Sequence, residues 1–181
     1  VILYTRDSDC YSINSIYEYN YISNITSLNL SNQQSVGIGT NNYNSNITIK
    51  GNNISHVFLG IVPYLNQDGI IITSNNLIDI YGHGIMCEEN VDNVVISNNI
   101  LNRIGINALE RGRFIHYGIS TFSYEDGIVR NNNITINNNI INNSKAGISL
   151  YFSDFNYVSN NLIENAINYE NTSLESYGIL I

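Results

Sequence analysis

The chain has 181 residues and a mass of 20.3 kDa, which suits one domain or a part of a larger one. Asparagine (34 residues) and isoleucine (32) make up more than a third of it, whereas charged residues reach only 12%. This composition excludes coiled coils and helical bundles, and 43% apolar residues are too many for a disordered chain. A net charge of −8 argues against a nucleic-acid-binding protein, which needs a basic face. Because no apolar run approaches the ~18 residues of a membrane span, we expect no membrane insertion.

The two cysteines, Cys10 and Cys87, lie 77 positions apart. They form neither a CxxC pair nor a disulfide framework, and the chain offers nothing for a structural zinc site. A single bridge between them remains open.

In chain order, residues 1–45 show only weak alternation, over Ile25–Leu30 and Val36–Gly39, which indicates degenerate first coils or a cap. From residue 46 to residue 181 a repeat follows, in which an alternating apolar stretch leads to an Asn pair, an apolar residue and a Gly-apolar step. The second Asn of each pair falls at Asn53, Asn76, Asn99, Asn139 and Asn161, at intervals of 23, 23, 40 and 22 residues. The interval of 40 indicates either one extra coil or one coil with a large loop near Gly118-Ile119, and we place the inserted loop at 102–117.

A period of 22–23 residues with short strands predicts an all-β fold, the right-handed, single-stranded parallel β-helix. Inward Ile, Val and Leu stack on the same positions one coil below, and Gly occupies places where no Cβ fits. Stacked Asn amides, spaced at the ~4.8 Å of neighbouring strands, predict a hydrogen-bonded ladder.

These repeats resemble those of the pectin-lyase-like superfamily over about residues 46–181. That superfamily includes polysaccharide lyases, glycoside hydrolases, epimerases, tailspikes and adhesins, so the resemblance implies a fold and leaves the reaction open.

Two motifs are similar to single branches of it. Gly82-His83-Gly84-Ile85 and Asn66-Gln67-Asp68-Gly69 look like elements of polygalacturonases, but the paired aspartates expected between them are absent and only Asp79 stands there. Tyr81-Gly82 looks similar to mannuronan epimerases, whose Asp-Pro-His triplet is missing. An enzyme of this kind would more readily be a polysaccharide lyase than a hydrolase or an epimerase.

An arginine-rich segment departs from the repeat. Arg103, Arg111, Arg113 and Arg130 place four of the seven Lys and Arg residues within 28 positions. Because a guanidinium binds a carboxylate in two-pronged fashion, this patch suits a uronic-acid or sulfated glycan. The alternative is that these arginines pair with Glu110, Glu125 and Asp126 and hold the loop on the solenoid.

A second departure concerns His83, which precedes one Gly-Ile step as Tyr117 precedes the next. In that register the two side chains stack about one strand spacing apart, with His116 beside them. Such residues could carry out β-elimination on a uronate, with arginine neutralising the carboxylate and Tyr or His moving protons. The alternative is that they are partly exposed stacking residues.

Glu88, Glu89 and Asp92 are weak candidates for a calcium site, and the alternative is a solvated acidic loop. No other cofactor is expected.

The chain has fourteen tyrosines, which include Tyr11, Tyr17, Tyr19 and Tyr21 near its start. Tyr151 and Tyr157 follow later, together with Phe152 and Phe155. Exposed, these rings would bind sugars or partner proteins; buried, they would fill the interior.

The sequence thus supports two functions. One is a module at the cell surface, on a virion or outside the cell that binds, and in one version processes, an acidic polysaccharide. The other is a purely structural solenoid, such as an adhesin stalk, filament subunit or tailspike shaft. Because the chain begins without Met and stops where another coil would continue, we expect a fragment of a longer solenoid, or ends covered by flanking domains or by copies in a homo-oligomer.

Overall fold

The computed structural model describes residues 13–25, 35–105, 116–123, 129–166 and 177–180, and all regular elements in these ranges are strands. The strands are β1 (Ile16–Glu18), β2 (Tyr21–Ser23), β3 (Val36–Asn41), β4 (Thr48–Lys50), β5 (Asn53–Ser55), β6 (Leu59–Tyr64), β7 (Gln67–Asp68), β8 (Ile71–Thr73), β9 (Asn76–Ile80), β10 (Ile85–Glu88), β11 (Val91–Ser97), β12 (Ile100–Ile104), β13 (Tyr117–Phe122), β14 (Asn131–Asn137), β15 (Ile140–Asn142), β16 (Ala146–Leu150), β17 (Ser153–Asp154), β18 (Tyr157–Ser159), β19 (Leu162–Glu164) and β20 (Ile179–Leu180). No helix in these ranges is long and apolar enough to cross a bilayer.

The strands form three parallel sheets around one axis, and each coil visits them in the same order. Sheet B contains β1, β4, β7, β8, β11, β14, β17 and β18; sheet C contains β2, β5, β9, β12, β15 and β19; sheet A contains β3, β6, β10, β13, β16 and β20. Within the described ranges the chain therefore winds through six coils, as the six strands of sheet A and the six of sheet C show. The parallel β-helix predicted from the repeat is confirmed.

The first coil contains β1, β2 and β3, so part of the 1–45 segment belongs to the solenoid. Residues 1–12 and 26–34 lie outside the described residues.

Strand pairing explains the interval of 40 residues between Asn99 and Asn139. Ile119 pairs with Ile85 on one side and with Ile148 on the other. The long interval is therefore one coil with insertions, because an extra coil would separate these strands.

The interior contains one long, aligned apolar column from each sheet, beside further buried pairs such as Ile80 and Ile104. The columns are Ile38, Ile61, Ile85, Ile119 and Ile148 from sheet A; Ile49, Ile72, Ile96 and Ile136 from sheet B; and Ile22, Ile54, Leu77, Leu101 and Ile141 from sheet C. Inward residues alternate with outward ones because successive side chains in a strand point to opposite faces.

The glycine of the Gly-Ile step is required by close approach of neighbouring coils. A Cβ on Gly84 would lie 2.5 Å from the carbonyl oxygen of Gly118 and 2.6 Å from Leu101 Cδ2. Since both neighbours belong to the packed next coil, only glycine fits this position without a shift.

The asparagine ladder exists, but in the first two repeats the predicted residue is wrong by one position. The buried ladder contains Asn52 and Asn75, not Asn53 and Asn76, and it continues through Asn99, Asn139 and Asn161. In the first two repeats the residue before the ladder, which adopts a positive φ, is Gly51 or Ser74, whereas in the later ones it is the first Asn of the pair. Asn53 and Asn76 therefore begin strands and point outward.

The number of positions between each Asn and the next inward residue of sheet C would have identified the ladder correctly. Every ladder Asn precedes an inward residue of sheet C by two positions, as Asn75 precedes Leu77 and Asn99 precedes Leu101.

Candidate functional site

The residues predicted to be catalytic come together on the outer side of sheet A. The rings of His83 and Tyr117 stack with centroids 6.0 Å apart, and the His83 and His116 rings meet edge to face at 5.2 Å. His83 Nδ1 lies 3.0 Å from Ser120 Oγ and accepts a long contact, 3.5 Å, from the Tyr117 backbone N–H. This arrangement fits a neutral imidazole whose Nδ1 is the acceptor.

Burial controls the protonation of this cluster. Desolvation, together with the neighbouring His116, lowers the pKa of His83 to about 3, so its imidazole is neutral near pH 7. Burial also raises the pKa of Tyr117, against a hydrogen bond with Ser149 that lowers it. A neutral His can accept a proton and a protonated Tyr can donate one, but the low pKa of His83 and the raised pKa of Tyr117 make them a weak base and a weak acid near pH 7.

The surface next to this cluster is packed rather than open. Val62, Met86 and Ser120, which follow on the outer side of neighbouring sheet A strands, are all buried, and so is Glu88. The His83 cluster therefore lies at the edge of a covered face, where a polymer lacks an obvious path to the hydroxyl of Ser120.

The two arginines within the described residues form ion pairs with aspartates. Arg103 binds Asp79 through Nε and a terminal nitrogen, and Arg130 binds Asp154 in the same two-pronged way, with one N–O distance of 2.8 Å. These partners differ from the Glu110, Glu125 and Asp126 of the sequence-based alternative. Arg111 and Arg113 lie outside the described residues, as do Glu110, Glu125 and Asp126.

Asp79 in β9 and Arg103 in β12 belong to a column of positive-φ residues near the end of the sheet C strands, which we name the turn column. The column includes His56, whose Nε2 is 3.7 Å from the Asp79 carboxylate. The hydrogen bond from Arg103 lowers the pKa of Asp79, partly against desolvation. Asp68, the carboxylate of the Asn66-Gln67-Asp68-Gly69 motif, lies in β7 of sheet B, where it accepts a hydrogen bond from Asn93. The two aspartates thus lie in different sheets, Asp68 in sheet B and Asp79 in sheet C.

The three candidate calcium ligands differ in burial and in hydrogen bonding. Glu88 is buried in β10 and Glu89 follows that strand, whereas Asp92 in β11 accepts hydrogen bonds of 2.9 and 3.1 Å from Asn132. In the part of the chain that the structure describes, no three His, Cys, Asp or Glu side chains group closely enough to hold a metal ion. Calcium binding stays a prediction.

Cys87 is a free, buried thiol, and its burial raises its pKa to about 12. Cys10 lies outside the described residues.

An open groove lies instead on the outer face of sheet C. It has a volume of about 240 Å³ and is lined by Tyr21, Asn53, Ile54, Ser55, His56, Asn76 and Ile78. Tyr21 is 78% exposed and stands in register with Asn53, which is in register with Asn76. Asn76 Nδ2 donates to Asn53 Oδ1 at 3.1 Å, and the Nδ1 atom of His56 is buried with no hydrogen-bond partner within the described residues.

Sequence reasoning identified Tyr21 but missed the other residues of this groove. It assigned Asn53 and Asn76 to the buried ladder, and it did not consider His56 or Ser55. The outward positions of sheet C, read two residues apart from Asn53, would have shown Asn53 and Ser55 on one surface.

Comparison with known proteins agrees with the coil geometry. A family described as "Right handed beta helix region" matches residues 6–163. The chain therefore belongs to the right-handed β-helix family, as the repeat predicts. No curated protein matches it significantly, and neither does a solved structure.

Proposed function

We propose that the chain is a polysaccharide-binding module whose sugar-binding surface is the groove of sheet C. The observation that carries this proposal is the exposed Tyr21 ring, aligned with the side chains of Asn53 and Asn76 on one open face. The apolar face of a sugar ring packs against an aromatic ring, while its hydroxyls need nearby donors and acceptors.

The amides of the groove supply those donors and acceptors. The bond between Asn76 Nδ2 and Asn53 Oδ1 fixes the orientation of both side chains. In the described structure it leaves Asn53 Nδ2 as a donor and Asn76 Oδ1 as an acceptor for a ligand. The hydroxyl of Ser55 and the imidazole of His56 extend this polar lining toward the turn column.

An acidic sugar would meet one cation beside the groove, Arg103, which is also paired with Asp79. Arg103 and His56 flank Asp79, so one carboxylate lies between a guanidinium and an imidazole. The side chain of Arg103 is about half exposed, at 48%. A uronate or sulfate at this edge of the groove would interact with Arg103, to which a planar guanidinium is well suited. Such a ligand fits our expectation of a protein that works outside the cell, at a cell surface or on a virion.

Binding to immobilised polygalacturonate, alginate, chondroitin sulfate and a neutral glucan tests the proposal. We expect an acidic polymer to bind and Tyr21→Ala to weaken that binding about tenfold or more. Tyr157→Ala is the matched control, since Tyr157 is an exposed tyrosine on the outer face of sheet B. Equal loss in both variants, or no binding to any of the four polymers, would refute the proposal.

The alternative is a structural solenoid without a ligand. It is favoured by the amide ladder, which joins successive coils from Asn52 to Asn161 by the same side-chain bonds. Concentration-dependent assembly in analytical ultracentrifugation, with no polysaccharide binding, would support this alternative.

A further inference from the structure

The groove is one end of a longer row of side chains that crosses all six coils of sheet C. This row, the outer ridge of sheet C, contains Tyr21, Asn53, Asn76, Ile100, Ile140 and Leu162. Beyond the groove the ridge is apolar yet open: Ile100 is 47% exposed, Ile140 39% and Leu162 48%. Aligned in this way, the three aliphatic side chains form one apolar strip, unlike the single, scattered apolar residues that are normal on a protein surface.

A strip of amides accompanies the apolar half of the ridge. Asn102 and Asn142 lie two residues further along the same strands and therefore on the same face. Asn143 Nδ2 donates to Asn102 Oδ1, and Asn165 Nδ2 donates to Asn142 Oδ1, both at 3.0 Å. These bonds fix the amides beside the aliphatic ridge, so the face combines an apolar line with a parallel line of hydrogen-bonding groups.

From this surface we infer that the ligand of the groove is a linear glycan that lies along the helix axis over the whole outer ridge. This inference rests on the proposed function and specifies its ligand. The C–H faces of successive sugar rings pack on Ile100, Ile140 and Leu162. Their hydroxyl edges meet the amides of the neighbouring strip.

The dimensions of the sheet support a chain rather than a single sugar. Neighbouring strands are about 4.8 Å apart, so six strands span roughly 24 Å, several times the width of one sugar ring. Because the ridge residues are paired in register, they form a straight row, which suits an extended polymer. A protein partner would also cover aliphatic side chains, but the fixed amide strip beside them matches regularly spaced hydroxyls.

Size-graded fragments of two to eight sugar units, prepared from each polymer that binds, test the inference by calorimetry on the whole chain. We expect affinity to rise with length up to about six units, one for each coil. The double variant Ile100→Thr and Ile140→Thr removes apolar contact, and should weaken binding of the six-unit fragment about fivefold without changing that of the two-unit fragment. Ile71→Thr with Val95→Thr is the matched control, because these exposed residues lie on sheet B.

The outcomes separate this inference from the proposed function. If no fragment of any length binds, the proposed function fails and the inference fails with it. If two-unit and six-unit fragments bind equally, or the sheet C and sheet B double variants lose the same affinity, the proposed function stands and the linear ligand is refuted. If the sheet C double variant instead abolishes self-association of the chain in analytical ultracentrifugation and leaves fragment binding unchanged, the ridge is an interface between copies, and the inference is again overturned.

Discussion

Replacing each of two adjacent asparagines, Asn75 and Asn76, by alanine compares the stability contribution of a ladder residue with that of a surface residue. We expect Asn75→Ala to lower the free energy of unfolding by about 2–4 kcal/mol, because it leaves buried groups without partners. The side chain of Asn75 is 1% exposed; its Oδ1 accepts from the backbone N–H and the amide of Asn52, both at 2.9 Å. Its Nδ2 donates to the Ile49 carbonyl at 2.9 Å and to Asn99 Oδ1 at 3.0 Å. Truncation removes all four bonds, and the Asn52 backbone N–H loses its acceptor.

The control is Asn76→Ala, the same substitution one residue later. Its side chain makes a single hydrogen bond, to Asn53 at the surface, so the cost should stay below about 0.5 kcal/mol. Urea denaturation of the full chain, followed by circular dichroism, measures both differences. The reasoning is refuted if Asn75→Ala costs less than about 0.5 kcal/mol, or if Asn76→Ala costs as much as Asn75→Ala.

Three further predictions follow from the sheet A side of the molecule. Gly84→Ala should lower stability by about 1–3 kcal/mol through overlap with Gly118, whereas Gly39→Ala should be tolerated because its nearest atom would be at 3.4 Å; thermal melts compare them, and equal shifts would contradict the close approach. Since the pKa of His83 falls from 6.5 to about 3 on folding, stability should decline as the pH drops below 6.5 toward 3, by up to about 1.4 kcal/mol per pH unit. His83→Leu should remove this slope in urea titrations at several pH values, and an unchanged slope would assign it to other groups. If the chain is a lyase, ultraviolet absorbance should report unsaturated uronate from pectate, alginate or glycosaminoglycans, with calcium or with chelator, and Tyr117→Phe should abolish the signal; a flat trace on all substrates would exclude β-elimination.

The sequence predicts the architecture well because the repeat is set by packing. Ile85 must stack on Ile61 and Ile119, and Gly84 must fit under a neighbouring carbonyl. Both constraints recur from the first coil to the fifth and are visible as a pattern. The ladder is predicted less exactly. Either residue of an Asn-Asn pair can be the buried one, so the pair alone does not show which Asn belongs to the ladder. Only the number of positions between the Asn and the inward residue of sheet C distinguishes them.

The candidate site was harder to predict because it depends on relations between coils. His83 and Tyr117 are 34 positions apart, and their stacking followed from the shared Gly-Ile register. The partners of Arg103 and Arg130 did not follow, because Asp79 and Asp154 lie in neighbouring coils, 24 positions from each arginine. Whether an outward face is covered or open also depends on how the coils assemble. The alternation of apolar and polar residues along a strand therefore did not predict that Ser120 is buried or that Tyr21 is exposed.

The corner between sheets B and C has one length in every coil. Two residues join the strands there, from Tyr19-Asn20 in the first coil through Gly51-Asn52 to Asn160-Asn161 in the last. The insertions of the long coil lie on either side of β13, at the corners that border sheet A. Change in length is therefore confined to one side of the solenoid. The loops around sheet A thus differ in length from coil to coil without changing the two-residue B–C corner or the register of the sheet C strands beside it.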